Sequence, residues 1–162
     1  MNIAYTFNYN ADGQMQKISM KVDGKDDEGP YSESGEINYT YNNKVLEKIE
    51  AKSKNITCSQ TYEYTQAIKN TYNAMPLLLL PEALASDDCV FNVFAITGYL
   101  GNAGANLPTA MTIKNTDLED PSENSTERYN LSYTLNENKA ISSYTLSGYG
   151  ETMTFPCDWT NF

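Results

Sequence analysis

Large apolar residues fall at every second position over three separated stretches. Each stretch turns through Asn, Asp or Gly into a second alternating run. The stretches are YTFNYNADGQMQKISM from Tyr5, INYTYNNKVLEKIEA from Ile37 and YNLSYTLNENKAISSYTL from Tyr129. A period of two puts these residues on one face of a strand, and a short polar turn between two such runs marks a β-hairpin. The first hairpin spans 2–22, with Tyr5, Phe7 and Tyr9 on one face and a turn at Ala11-Asp12-Gly13. Gly13 supplies the positive φ such a turn uses. The second spans 36–51 and turns at Asn42-Asn43. The third spans 128–146 and turns near Asn136-Glu137-Asn138. Further strands are expected over 56–64, 109–114 and 151–157, giving nine or ten. The chain is therefore expected to be mainly β: an antiparallel meander forming a strongly curved sheet or a partly open barrel.

Between Asn70 and Pro108 the alternation stops, and MPLLLLPEALASDDCVFNVFAITGYLGNAG is the most apolar run of the chain. Ser86-Asp87-Asp88 has the form of a helix N-cap with an acidic first turn, and Val90, Phe91, Phe94 and Tyr99 share a helical face. A short helical insert is expected around residues 77–100, closing one end or face of the sheet. The stretches Asp23 to Pro30 and Asn115 to Glu127 are expected to be acidic loops.

Length fits one β-rich domain over residues 1–162. The formal net charge of −10 sets the chain against phosphate backbones and anionic lipid, which excludes nucleic-acid binding. There is no histidine, so Ser-His-Asp and Cys-His nucleophilic systems and histidine-bearing metal sites are excluded. No stretch reaches the length of a transmembrane helix. Cys58, Cys89 and Cys157 lack metal-ligand spacing, which leaves buried thiols or one disulfide with one free thiol.

The hairpins YTFNYNADGQMQKI, YTYNNKVLEKI and YTLNENKAISSY resemble the repeats of exported Bacteroidetes proteins and, loosely, YD-type repeats. The segment ITGYLGNAGANLPTAMTI, Ile96 to Ile113, resembles a helix-to-strand element of the same group. The family most similar is a Bacteroidetes lipoprotein family of unknown function described as having a porin-like fold. The resemblance implies an export signal upstream of this chain, a periplasmic or cell-surface location and a lipid anchor on the full-length protein. It implies no catalytic residues. It does not imply a channel, because Lys17, Ser19 and Lys21 give one strand a face that wants water rather than lipid.

The expected function is a non-catalytic cell-envelope module for binding or scaffolding, with a glycan or an envelope protein as partner. The chain's 13 tyrosines include residues placed in or near expected loops. Tyr31, Tyr99, Tyr149 and Trp159 are the candidate stacking surface for a sugar ring; packing on a sheet face is the alternative use of such rings. No cofactor signature is present. Calcium is the metal to expect if one binds, at Asp23, Asp26, Asp27 and Glu28, with Asp117, Glu119 and Asp120 as a second acidic cluster. The competing readings are a purely structural part of an exported protein and a carboxylate-dependent, glycosidase-like hydrolase drawing on Glu36, Glu47, Glu63 or Glu151.

Overall fold

The computed structural model describes residues 1–71, 101–102 and 104–157. Eleven strands lie among them: β1 Asn2–Tyr9, β2 Met15–Asp26, β3 Gly29–Asn42, β4 Val45–Lys52, β5 Ile56–Glu63, β6 Ile68–Lys69, β7 Asn106–Leu107, β8 Ala110–Asp117, β9 Ser125–Leu135, β10 Ile141–Gly148 and β11 Glu151–Pro156. Nine form one sheet in the order β1-β2-β3-β4-β5-β8-β9-β10-β11, and β6 pairs with β7 in a separate two-stranded ladder. Every neighbouring pair in the large sheet is antiparallel.

The two faces of this sheet differ as the alternation requires. Phe7, Ile18, Ile37, Ala51 and Cys58 lie level across five strands. Beside them Tyr39, Ile49, Gln60 and Ile113 form a second row. These rows, with Met15, Leu46, Tyr62, Leu107, Met111, Leu131 and Ile141, make the core. On the other face Asn8, Lys17, Asn38, Glu50, Ser59, Lys114 and Thr126 lie level across seven strands. Lys17 pairs there with Glu36, and Lys48 and Lys52 both reach Glu50. Burying the first face and wetting the second fixes each register, because a one-residue slip would exchange them.

β1 and β11 each pair on one side only, so among the described residues the sheet is open and does not close into a barrel. An odd number of alternating strands leaves the first and last pointing the same way, which denies them an antiparallel closure.

Three expectations change. Asp23 to Pro30 is not a loop: β2 runs on to Asp26 and β3 starts at Gly29, so only Asp27 and Glu28 turn. The turn after β3 is centred on Asn43 and Lys44, both with positive φ, one residue beyond Asn42-Asn43. The loop over 115–127 is shorter than expected, because β8 extends to Asp117 and β9 begins at Ser125. The helical insert around residues 77–100 falls outside the described residues; among those, the helical element is one 3-10 turn, Pro121–Glu123.

Candidate functional site

In a meander the connections alternate between the two ends of the sheet. The β1–β2 turn, the β3–β4 turn and the β5-to-β8 connection therefore share one end. There they form a polar recess of about 400 Å³ lined by Asp12, Gln14, Lys44, Asn70, Thr71, Asn102, Gly104 and Ala105.

Amide side chains hold this end together. Asn10 Oδ1 accepts the backbone N–H groups of Asp12 (3.0 Å) and Gln14 (2.9 Å), which closes the first turn. Gln14, 4% exposed, receives Asn10 Nδ2 on its Oε1 at 3.0 Å and donates from Nε2 to the Lys44 carbonyl at 3.0 Å. The Ala105 N–H donates to that same carbonyl. Asn102 donates from its backbone to the Gly13 carbonyl and from Nδ2 to the Asp12 carbonyl. Asn70 Nδ2 donates to the Gly104 carbonyl. Gly101 bridges to Gln14 with φ +67, and a β-carbon there would lie 2.6 Å from the Gly13 carbonyl oxygen. That approach admits only glycine.

At the rim, Lys44 Nζ meets Asp12 Oδ1 at 2.7 Å with both side chains about half exposed to water. A charged pair, Thr71 and Asn102 thus line one opening. This arrangement sets hydrogen-bond donors and acceptors side by side. Its volume falls in the range of small-ligand sites, roughly 300–1,000 Å³. Tyr9, 40% exposed, lies beside it at Gly101, whose β-carbon would stand 3.2 Å from the Tyr9 ring.

Of the sequence-selected aromatic residues, the two that are described, Tyr31 and Tyr149, lie apart. Tyr31 lies in β3 rather than a loop, and its ring covers Gly24, the residue opposite it on β2. Tyr149 is 68% exposed in the β10–β11 turn, donates its hydroxyl to the Thr126 carbonyl at 2.6 Å and has its ring centroid 6.1 Å from that of Tyr129. Both belong to the end opposite the recess, with four strands between β3 and β10, or roughly 24 Å at 4.8 Å per strand. Tyr99 and Trp159 fall outside the described residues.

The acidic clusters serve their own turns. Asp26 Oδ1 accepts the N–H groups of Glu28 and Gly29. Asp23 sits on the ladder opposite Ser32, held below the usual carboxylate range by hydrogen bonds from Lys21 and Ser32. Asp117 Oδ1 accepts from the backbone of Glu119 and Asp120, and Asp120 caps the 3-10 turn through Ser122. Among the described residues no three acidic or cysteine side chains converge as metal ligands would.

Two of the strand carboxylates are held in ion pairs. Glu63 binds Arg128 in a two-pronged contact that lowers its pKa, and Lys17 followed by Asn38 lowers that of Glu36. A glycosidase acid needs the opposite shift. Glu47 and Glu151 are exposed on β4 and β11. The tyrosines, meanwhile, belong largely to the core. Tyr62 donates to Gln60 Oε1 at 2.6 Å, Tyr64 to the Leu46 carbonyl at 2.6 Å and Tyr133 to the Pro108 carbonyl at 2.9 Å. Burial raises the phenols of Tyr39, Tyr62, Tyr64 and Tyr133, and pushes Tyr41 up to about 12. Cys58 is buried and Cys157 half-buried; Cys89 lies outside the described residues.

No family model matches the chain, and no curated protein does. Its fold, an open antiparallel meander with one dry and one wet face, is similar to those of two solved structures. One is a porin-like protein from Bacteroides vulgatus ATCC 8482, with TM-score 0.57, 14% identity, and coverage of 94% of this chain and 62% of that one. The other is a porin-like protein from Bacteroides uniformis ATCC 8492, with TM-score 0.56, 20% identity, and coverage of 94% and 56%. The chain spans less than two thirds of either. At these identities the likeness is one of fold, and at that level it agrees with the porin-like resemblance of the sequence.

Proposed function

We propose that the chain is a non-catalytic cell-envelope module that binds a hydroxyl-rich ligand, a glycan, in the polar recess beside Tyr9. The observation that carries this reading is the convergence of Asp12, Lys44, Thr71 and Asn102 from three separate connections onto one opening. Carboxylate and amide oxygens accept from sugar hydroxyls, and ammonium and hydroxyl groups donate to them. A base held rigid by Gln14 and Asn10 lowers the ordering cost of binding. The fold shared with porin-like proteins of Bacteroides supports the envelope assignment, and the lipid anchor and periplasmic or surface location go with it.

The test is a glycan array probed with the purified chain, followed by titration of the best oligosaccharide against D12A/K44A. That double variant removes an exposed ion pair worth about 1 kcal/mol or less, so the fold is retained. Binding by the wild type and about a tenfold or greater loss in the variant are expected. An array with no bound oligosaccharide, or equal affinity in the variant, overturns the reading.

A further inference from the structure

One side of β11 has no neighbouring strand among the described residues. There β11 pairs with β10 alone, and all six of its residues are exposed, Met153 to 41% and Phe155 to 37%. Its hydrogen-bonding phase follows from one contact. The Cys157 N–H donates inward to the Ser142 carbonyl at 2.8 Å, with Pro156 opposite Ser143. In an antiparallel ladder the inward and outward residues alternate. Phe155, Met153 and Glu151 therefore bond to β10, while Thr152, Thr154 and Pro156 present their backbones outward. Pro156 has no N–H to present, which is why it is tolerated there.

Natural sheets guard such an edge with lysines, bulges or prolines along it. Between Glu151 and Pro156 the edge reads Thr-Met-Thr-Phe, without charge, and the β10–β11 register has no bulge. An incoming strand must be extended, uncharged at its centre, and apolar on the side of Met153 and Phe155. β11 itself meets each requirement.

We infer that β11 is a self-association edge, on which a second copy of this chain pairs its own β11 antiparallel about a two-fold axis at Met153. In this register Thr152 faces the partner's Thr154 and Thr154 faces the partner's Thr152, so the outward groups of both strands bond reciprocally. Met153 meets the partner's Met153 on the apolar side, and Glu151 lies opposite the partner's Phe155 instead of another carboxylate. Moving the axis toward Pro156 sacrifices donors; moving it toward Glu151 shortens the pairing. Two nine-stranded sheets joined this way give an even count, so the two outermost strands, unlike β1 and β11 of one copy, run antiparallel. The inference is independent of the glycan reading, since the recess lies at the other end of the sheet from the β10–β11 turn.

Sedimentation velocity on the intact chain tests it. Over about 10 μM to 1 mM, the range suited to so small an interface, the mass should rise from 18.1 kDa toward twice that value. Each copy carries −10, so association should strengthen with added salt as repulsion is screened. T154P removes an outward donor and leaves the backbone bonds to β10 in place, losing only the hydroxyl contact with Thr145, and M153K sets two ammonium groups against each other. Each should weaken association by about tenfold or more, with circular dichroism unchanged. A chain monomeric throughout this range, or a dimer indifferent to both substitutions, overturns the inference.

Discussion

Gln14 donates its side-chain amide to the Lys44 carbonyl at 3.0 Å, tying the turn after β1 to the turn after β3 across thirty residues of sequence. Both partners of that amide are internal: its oxygen receives Asn10, and the residue is 4% exposed. Replacing Gln14 with Leu keeps the volume and strands the Asn10 amide, at a cost of about 1–3 kcal/mol. Glu at the same position is predicted to cost more, because it sets a carboxylate against a carbonyl where a donor stood. Urea unfolding midpoints should rank wild type above Q14L above Q14E. Equal midpoints for Q14E and wild type would remove Gln14 from its role as the tie.

Gly101 carries the same end of the sheet on different physics. Its φ of +67 is strained for any residue with a side chain, and the obstacle to a β-carbon is the Gly13 carbonyl, which cannot swing aside. Ala at 101 should destabilise by about 2 kcal/mol or more. Hydrogen exchange gives the local reading: the Asn102 N–H, bonded to Gly13 at 3.0 Å, should lose protection in G101A while β4 and β5 keep theirs.

What could be read in the sequence follows from the range of the forces involved. Alternation is a property of neighbours, so the dry rows through Ile18, Ile37 and Ala51 and the wet row through Lys17 were visible in the chain before folding. The second turn falls one residue beyond Asn42-Asn43. Asn42 and Asn43 both suit left-handed backbone, and the irregular register between Thr40 and Tyr41 shifts the ladder by one. The Asp23 to Pro30 stretch looked like a loop because it is charged, yet a strand face open to water accepts Asp23 opposite Ser32 and Lys25 opposite Pro30. The recess had no local signature. Residues 12, 44, 70 and 102 meet because three connections share an end of the meander. Each of those residues, taken alone, is an ordinary turn residue.

Several tyrosine hydroxyls act as internal ties. Y64F and Y133F each leave a backbone carbonyl, of Leu46 and Pro108 respectively, without its phenol donor. Each should cost about 0.5–1.5 kcal/mol, and the two should be near additive only if their rings do not share a contact. Burial raises the Tyr133 phenol most and Tyr64 adds to it, so each ring lies within the field of the other. A double-mutant cycle should therefore show a non-zero interaction term. Strict additivity would separate the two sites.

The two described thiols should differ in reactivity. Cys58 is 2% exposed within the core, whereas Cys157 is half-buried just past β11. Alkylation needs an accessible thiolate, so native protein should modify Cys157 before Cys58. Burial raises the Cys157 thiol, so its modification should be slow at neutral pH and speed up as pH rises. Peptide mapping after a timed pulse of iodoacetamide checks the order. Modification of Cys58 first would mean that the dry face opens faster than the end of β11.

Alkaline pH should unfold the chain, and the buried phenols supply the reason. Tyr39, Tyr62, Tyr64 and Tyr133 are all raised by burial, and Tyr41 is pushed up to about 12. An unfolded tyrosine titrates near pH 10. Below that value both states hold their protons and stability does not change on this account. Above it the unfolded chain releases protons that the folded chain keeps, so the unfolded state binds fewer protons and stability falls as pH rises toward the folded values. Urea midpoints should therefore hold steady up to about pH 9.5 and drop steeply beyond about pH 10.5. Phenolate absorbance should show two populations. The core set should ionise later than tyrosine in water, and together as the sheet comes apart. A single smooth titration of every tyrosine near pH 10, with no loss of stability, would place these rings in water and dissolve the dry face on which the fold rests.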